Sequence, residues 1–462
     1  MHLIGGHTHP LDLPEVRSII ANFLSREDCT SCMRVNKDWF QDFAASVWHT
    51  IDFDKDYMFA NLAPSIIANY AHYIRHAIAI EDLEYVSALQ HKSINSLLKL
   101  EFNITFCPVA LAIFFDVLRR NKSSLKILKM SGHELDAQEL EDQRYDAAFF
   151  TPIDLSLDES NLTRLHLTYL CLTRQNFSDI LESSPHLCMI TMYRTLLVSH
   201  GAPLQLFQHY GVKSLEANLY QVFYPDNFTH PSPSLLCHFP GLETWIDPTY
   251  NLSSIPISMN AIRAEISRRC PRLSSVMFDV DSSQLGPYFT VQLLNGAFTR
   301  LKSCTLGYHA LDNAMFIGIL HHQETLTHVY LTMSKEMWPS SSDNNPNAKS
   351  LVNLILRSCR KLEVFSAEGH QIDITVAEEH EWVCRGLREL RVRVLQLDDT
   401  ESVNDCLELL SVLRRGGQNG LSWLNFQEEF FAIRVCRRLL LMKKLRVVWL
   451  GTKDYYLASH RK

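Results

Sequence analysis

One pattern constrains this chain more than any other. The spacing Leu-x-x-Leu-x-Leu, with other apolar residues allowed, returns along most of its length. Clear copies are Leu125-x-x-Leu128-x-Met130, Leu162-x-x-Leu165-x-Leu167, Leu187-x-x-Ile190-x-Met192, Leu273-x-x-Val276-x-Phe278 and Leu301-x-x-Cys304-x-Leu306. Later copies are Leu326-x-x-Val329-x-Leu331, Leu387-x-x-Leu390-x-Val392, Leu421-x-x-Leu424-x-Phe426 and Leu445-x-x-Val448-x-Leu450. Weaker ones start at Leu97, Val212, Leu242 and Leu362. The thirteen starts run from 97 to 445, so twelve intervals cover 348 residues and average 29. Leucine fills 65 of 462 positions, but a high count alone does not hold a beat. A fixed period of this length is the mark of stacked repeats.

Each copy reads as a strand, because its fourth and sixth positions alternate and point the same way. The stretches between copies read as helices. Leu351, Leu354 and Ile355 are spaced i, i+3, i+4, and Ile262 and Ile266 are spaced i, i+4, which gives each helix one apolar stripe. Ser184-Pro185-His186-Leu187, Phe239-Pro240-Gly241-Leu242 and Cys270-Pro271-Arg272-Leu273 then stop the helix before the strand. Proline cannot continue a helix and biases its predecessor toward extended backbone. One strand–helix unit cannot bury its apolar side alone, and stacking neighbours does so.

On these residues the chain resembles the leucine-rich-repeat family, of the ribonuclease-inhibitor-like or cysteine-containing type, over roughly residues 95–455. The resemblance implies an α/β solenoid of about 13 repeats with a concave parallel sheet and outer helices. The chain departs from the family at the ninth position, where His133, Leu170, Thr195, Asp281 or Leu395 replaces the usual Asn or Cys. Ile74–Ile80 is a candidate extra first strand. Three long intervals read as insertions on the rim, with or without a partner. They hold Glu134–Ser160, with nine acidic residues against Arg144; the turn-rich Pro339–Asn347; and Asp398–Glu401 with Gly416-Gly417.

Residues 10–50 lack the beat. Leu13-Pro14-Glu15 opens a helical apolar pattern of Val16, Ile19, Ile20, Phe23 and Leu24, with proline in the first turn. Ser25-Arg26-Glu27-Asp28 reads as an N-cap before a second helix bearing Cys29, Cys32 and Val35. Asn36-Lys37-Asp38 opens a third helix with Trp39, Phe43, Val47 and Trp48. Three short helices make a very small core, and such a module usually needs a partner over its remaining apolar surface.

Leu13-Pro14-Glu15, Phe23-Leu24-Ser25, Asp28, Val35-Asn36-Lys37-Asp38-Trp39 and Trp48 together resemble an F-box. The resemblance implies an F-box domain over 8–50, a linker over 51–94 that includes the extra strand, the repeat solenoid over 95–455 and a tail over 456–462. It implies a non-catalytic substrate receptor of a eukaryotic SCF-type cullin–RING ubiquitin ligase. The F-box would dock on the Skp-type adaptor of the cullin complex, and the repeats would hold the protein to be ubiquitinated. Such a subunit acts by proximity, not bond chemistry. Carried over by position, Leu13, Pro14, Ile20, Leu24, Val35 and Trp39 would face the adaptor, though Ile20 and Val35 could instead fill the three-helix core. The alternative is a leucine-rich-repeat interaction scaffold whose front helices cap the solenoid and recruit no ligase.

In each copy the third and fifth positions face away from the core. The exposed-aromatic cluster falls late: Tyr330, Trp423 and Trp449, with Arg391 beside them. Aromatics and arginine dominate binding hot spots, so the expected partner site lies in the last third of the concave face. Exposed sheet aromatics with no ligand are the competing reading.

Composition narrows the rest. The formal charge is −7 and the pI about 6.3, which argues against bulk electrostatic binding of nucleic acid. The basic run Arg434, Arg437, Arg438, Lys443 and Lys444 is interleaved with leucines and reads as a solvated helix face. No run of about 18 apolar residues predicts a membrane span. The first residues show no signal-peptide pattern, and the twelve scattered cysteines read as reduced thiols of a cytoplasmic or nuclear protein. His7-Thr8-His9 resembles a His-x-His metal pair, but a helical module follows it instead of a barrel strand. Cys29-Thr30-Ser31-Cys32 has zinc-like spacing without a second pair. No phosphate-loop, dinucleotide or nucleophile-elbow motif occurs, so neither a metal, a cofactor nor catalysis is expected.

Overall fold

The computed structural model describes residues 9–54, 63–80, 89–103, 108–132, 159–198, 207–223, 234–248, 259–279, 286–307, 313–332, 346–372, 381–394, 397, 404, 406–407, 410–411, 431–450 and 454–456. The chain divides into two compact units, Met1–Val212 with Tyr224–Ser234, and Lys213–Phe223 with Leu235–Lys462. Within these units the described strands, all but the last, run parallel beside helices, an α/β solenoid-like arrangement.

The first unit opens with three helices: α1 (Pro14–Ala21), α2 (Arg26–Cys32) and α3 (Lys37–Trp48). Ser25 caps α2 by accepting from Asp28 N–H, and Asn36 caps α3 by accepting from Trp39 N–H at 2.9 Å. Strand β1 (Thr50–Asp52) follows α3 almost at once and pairs in parallel with β2 (His76–Ile80). Then come β3 (Lys99–Asn103), β4 (Ile127–Ser131), β5 (Arg164–Thr168) and β7 (Met189–Tyr193), each parallel to its predecessor. A short side sheet pairs β6 (Cys171–Thr173) with β8 (Leu196–Val198). The chain enters β6 and β8 through left-handed residues at equivalent places, Tyr169 (φ 52°) and Arg194 (φ 46°). The Thr195 hydroxyl donates to the Leu167 carbonyl at 3.0 Å and so bonds the turn backbone.

The second unit contains β9 (Ser214–Ala217), β10 (Thr244–Asp247), β11 (Ser275–Asp279), β12 (Ser303–Gly307), β13 (His328–Thr332), β14 (Val364–Ile372), β15 (Glu389–Val394) and β16 (Val447–Trp449), all parallel. Strand β17 (Asp454–Tyr456) closes it by pairing antiparallel with β16.

The repeat's fourth position is the spine of each core. In the first unit Ile51, Ala77, Leu100, Leu128, Leu165 and Ile190 lie in register and are buried. In the second, Leu215, Trp245, Val276, Cys304, Val329, Phe365, Leu390 and Val448 do the same. Burial of one face and partial exposure of the other is what period-two side-chain alternation demands.

Four expectations change. The parallel ladder begins at Thr50, not at residue 95: the candidate extra strand at Ile74–Ile80 is present as β2, and β1 precedes it, neither carrying the leucine spacing. The rung expected between the copies at Leu387 and Leu445 is absent from that place: β15 pairs directly with β16, Glu389 opposite Val447. Residues 412–430 themselves lie outside the described residues, as do most of the three long insertions and the ninth-position residues His133, Asp281 and Leu395. The helix Pro346–Ser358 buries Val352, Ile355 and Leu356, one position round from the expected stripe. The fourth change concerns Trp449 and belongs to the site.

Candidate functional site

Two surfaces stand out, one on the front helices and one on the open face of the sheet.

The front helices bury Arg17, Ala21, Cys29, Phe43, Ala44, Val47 and Trp48. Part of the apolar set of this module faces outward: Ile19 on α1, Leu13 before it, and Phe23 and Val35 in the turns after α1 and α2, while Val16 is half-buried. Leu13 is 43% exposed, Ile19 59%, Phe23 84% and Val35 60%. Pro14 is exposed too, while Ile20, Leu24 and Trp39 are half-buried. Val35 therefore does not fill the core. Trp39 leans on the core through its ring, stacked on Phe43 at 5.4 Å between centroids. The inner side is closed by Trp48 stacking on Tyr70 at 4.2 Å. Four of the ten large hydrophobics exposed among the described residues lie between 13 and 35. Scattered single cases are ordinary; a concentration on one small module is not.

On the open face of the second unit, register places Tyr330, Ser366, Arg391 and Trp449 in one row. Tyr330 and Arg391 are half-buried, and the Tyr330 ring stacks on His328 with centroids 6.5 Å apart. Burial raises the Tyr330 pKa, with Glu389 adding to the rise and Arg391 opposing it. Arg391 Nε donates to Glu389 at 2.6 Å, so its charge is already answered. Trp449 is only 8% exposed, at the end of the parallel ladder where β17 pairs with β16. It offers no free aromatic face, so of the two described members of the expected cluster only Tyr330 is open to a partner. Trp423 lies outside the described residues.

The first unit carries a charged open face that the search for aromatics passed over. Glu101 and Lys129 are register partners, and Glu101 Oε2 sits 3.3 Å from Lys99 Nζ and 3.4 Å from Lys129 Nζ. His166 is the next partner of Lys129, and Arg164 lies two residues before it. Burial, then Lys129 and Arg164, push the His166 pKa down to about 4. The alternation of strand residues was signal enough to place these five side chains on one face, but not to weigh their charge.

His7 lies outside the described residues, and His9 caps a 3-10 turn by accepting from Leu11 N–H at 3.2 Å. Among the described residues no group of three or more His, Cys, Asp or Glu could hold a metal ion. Cys29 is buried and Cys32 half-buried; burial raises the Cys29 thiol pKa first of all. Among the described residues no helix is long and apolar enough to cross a membrane. Arg438 lies 5.4 Å from the Trp382 ring centroid, a packing role for part of the basic run. No family model matches the sequence, and no curated protein matches it.

Proposed function

We propose that this chain is an F-box/leucine-rich-repeat substrate receptor of an SCF-type cullin–RING ubiquitin ligase. Its front helices bind the Skp-type adaptor and its parallel-sheet region binds the protein to be ubiquitinated. The observation that carries the reading is the outward apolar set Leu13, Ile19, Phe23 and Val35 on the front helices. Leaving these side chains in water forgoes about 2 kcal/mol each, and a permanent partner recovers it. The reading assigns no catalytic residue: the chain would raise the local concentration of a substrate lysine near charged ubiquitin.

The scaffold reading draws on one observation of its own. α3 runs into β1 within two residues, and Trp48 packs on Tyr70, contacts that suit front helices which cap the first strand. Capping accounts for the buried Phe43, Val47 and Trp48. It gives no reason for the exposed Ile19, Phe23 and Val35.

Co-expression of the full chain with a Skp-type adaptor separates the two. The expected result is a stable complex on size exclusion, lost in the Phe23→Asp, Val35→Asp double variant while thermal unfolding is unchanged. Absence of a complex with the unaltered chain would rule out ligase recruitment and leave the scaffold.

A further inference from the structure

The charged open face of the first unit has a definite ligand chemistry. Lys99, Lys129 and Arg164 present three cations against the single carboxylate of Glu101. Glu101 already shows how a carboxylate is held there, bridged between two lysines on one face. Arg164 is exposed and makes no ion pair among the described residues. His166 is neutral at neutral pH, since burial and its cationic neighbours keep its pKa near 4, and a neutral imidazole still offers a hydrogen-bond donor.

We propose that this face docks an extended partner segment carrying Asp or Glu at alternate positions. Lys129 and Arg164 sit on adjacent parallel strands two residues out of step, about 8 Å apart by strand spacing and rise. Alternate side chains of an extended segment recur about 7 Å apart on one side, so two successive acidic residues match the two cations. Arg164 supplies a planar fork suited to a carboxylate, and Lys129 exchanges Glu101 for the incoming group. The second unit's corresponding row, with Ile246, Met277, Thr305, Tyr330 and Ser366 before the answered Arg391, has no such excess of positive charge. The inference rests on reading the open face as the partner-docking surface and names that partner's chemistry.

The test uses the full chain and a fluorescein-labelled nonapeptide with Glu at every second position, beside its Gln counterpart and a phosphoserine counterpart, followed by fluorescence anisotropy. The Glu peptide is expected to bind at least tenfold tighter than the Gln peptide, and to weaken as salt rises. Lys129→Gln with Arg164→Gln should lower affinity at least tenfold, while Lys213→Gln in the second unit leaves it unchanged. The Gln replacements remove the charge while keeping a polar unbranched stem, and matched circular dichroism and unfolding curves confirm the fold. Equal binding of the Glu and Gln peptides, or binding of the phosphoserine peptide alone, overturns the proposal. So does Glu-peptide binding that appears only after the nine acidic residues between 134 and 159 are replaced by their amides, because the chain's own segment would then be the occupant. Adaptor binding is read separately: an intact adaptor complex with no peptide binding refutes this inference alone, and peptide binding without adaptor refutes only the ligase reading.

Discussion

Arg17 on α1 donates through Nε to the Asp42 carboxylate on α3 at 2.6 Å, and its Nη1 donates to the Leu11 carbonyl at 2.7 Å. The Arg17 side chain is 5% exposed and that of Asp42 21%. One guanidinium thus ties together the turn before α1, α1 itself and α3, in a module with little apolar core to spare. Replacing Arg17 by Ala strands a partly buried carboxylate, at a cost of about 2–3 kcal/mol. Hydrogen exchange over residues 10–50 should speed accordingly. Arg17→Lys keeps the charge but loses the fork and should fall between. Exchange rates in Arg17→Ala equal to those of the unaltered protein would show that the pair contributes nothing.

Phe23 and Phe43 make a matched pair of phenylalanines on the same module, one 84% exposed and the other fully buried. Phe43→Ala should cost about 3–5 kcal/mol through lost burial and the cavity left behind. Phe23→Ala should stay within about 0.5 kcal/mol of the parent, as surface changes do, yet weaken adaptor capture at least tenfold. Equal destabilisation by the two changes, measured by urea unfolding, would place Phe23 in the core and remove the proposed contact.

The leucine beat made the core legible because stacked strands must put the same position of each copy on the buried side. Leu128, Leu165 and Ile190 obey this rung by rung. It failed where other forces stand in for leucine. Thr50-Ile51-Asp52 joins the sheet through a single buried Ile51, too short to carry a spacing. Between the copies at Leu387 and Leu445 the beat predicts a further rung, yet backbone pairing of Arg388 with Arg446 and Val447 closes β15 directly onto β16. Trp449 has the outward parity, yet at a sheet end parity no longer fixes exposure. Arg17 was invisible for the opposite reason: a charge on a short helix reads as solvent-facing until its partner 25 residues away is known.

Trp245 is the largest fully buried side chain among the described residues of the second unit. Its Nε1–H donates to the Ala217 carbonyl at 2.9 Å, and its ring meets Phe278 edge-on at 5.5 Å. The bond runs from β10 back to β9 and welds two successive rungs. Trp245→Phe keeps an aromatic ring but leaves a buried carbonyl without its donor, for a loss of about 1–3 kcal/mol. Trp245→Ala should lose about 3–5 kcal/mol. Urea midpoints that order the two variants the other way would contradict this account of the site.

His370 sits on β14 at the register shift between Ala367 and Gln371, 7% exposed. Neither ring nitrogen has a hydrogen-bond partner among the described residues. Burial alone pushes its pKa from 6.5 down to about 4. The folded state therefore holds the neutral ring, and the unfolded chain binds the proton first as pH falls. Stability contributed by keeping this ring neutral is complete above pH 6.5 and declines as pH drops from 6.5 toward 4, by on the order of 3 kcal/mol. His166 and His322 are shifted in the same direction and add to the same slope. Urea unfolding at pH 7.5 and pH 4.5 should show the parent losing stability on acidification, and His370→Leu losing less of it. A variant with the parent's full pH slope would mean that His370 is protonated, or hydrated, in the folded protein.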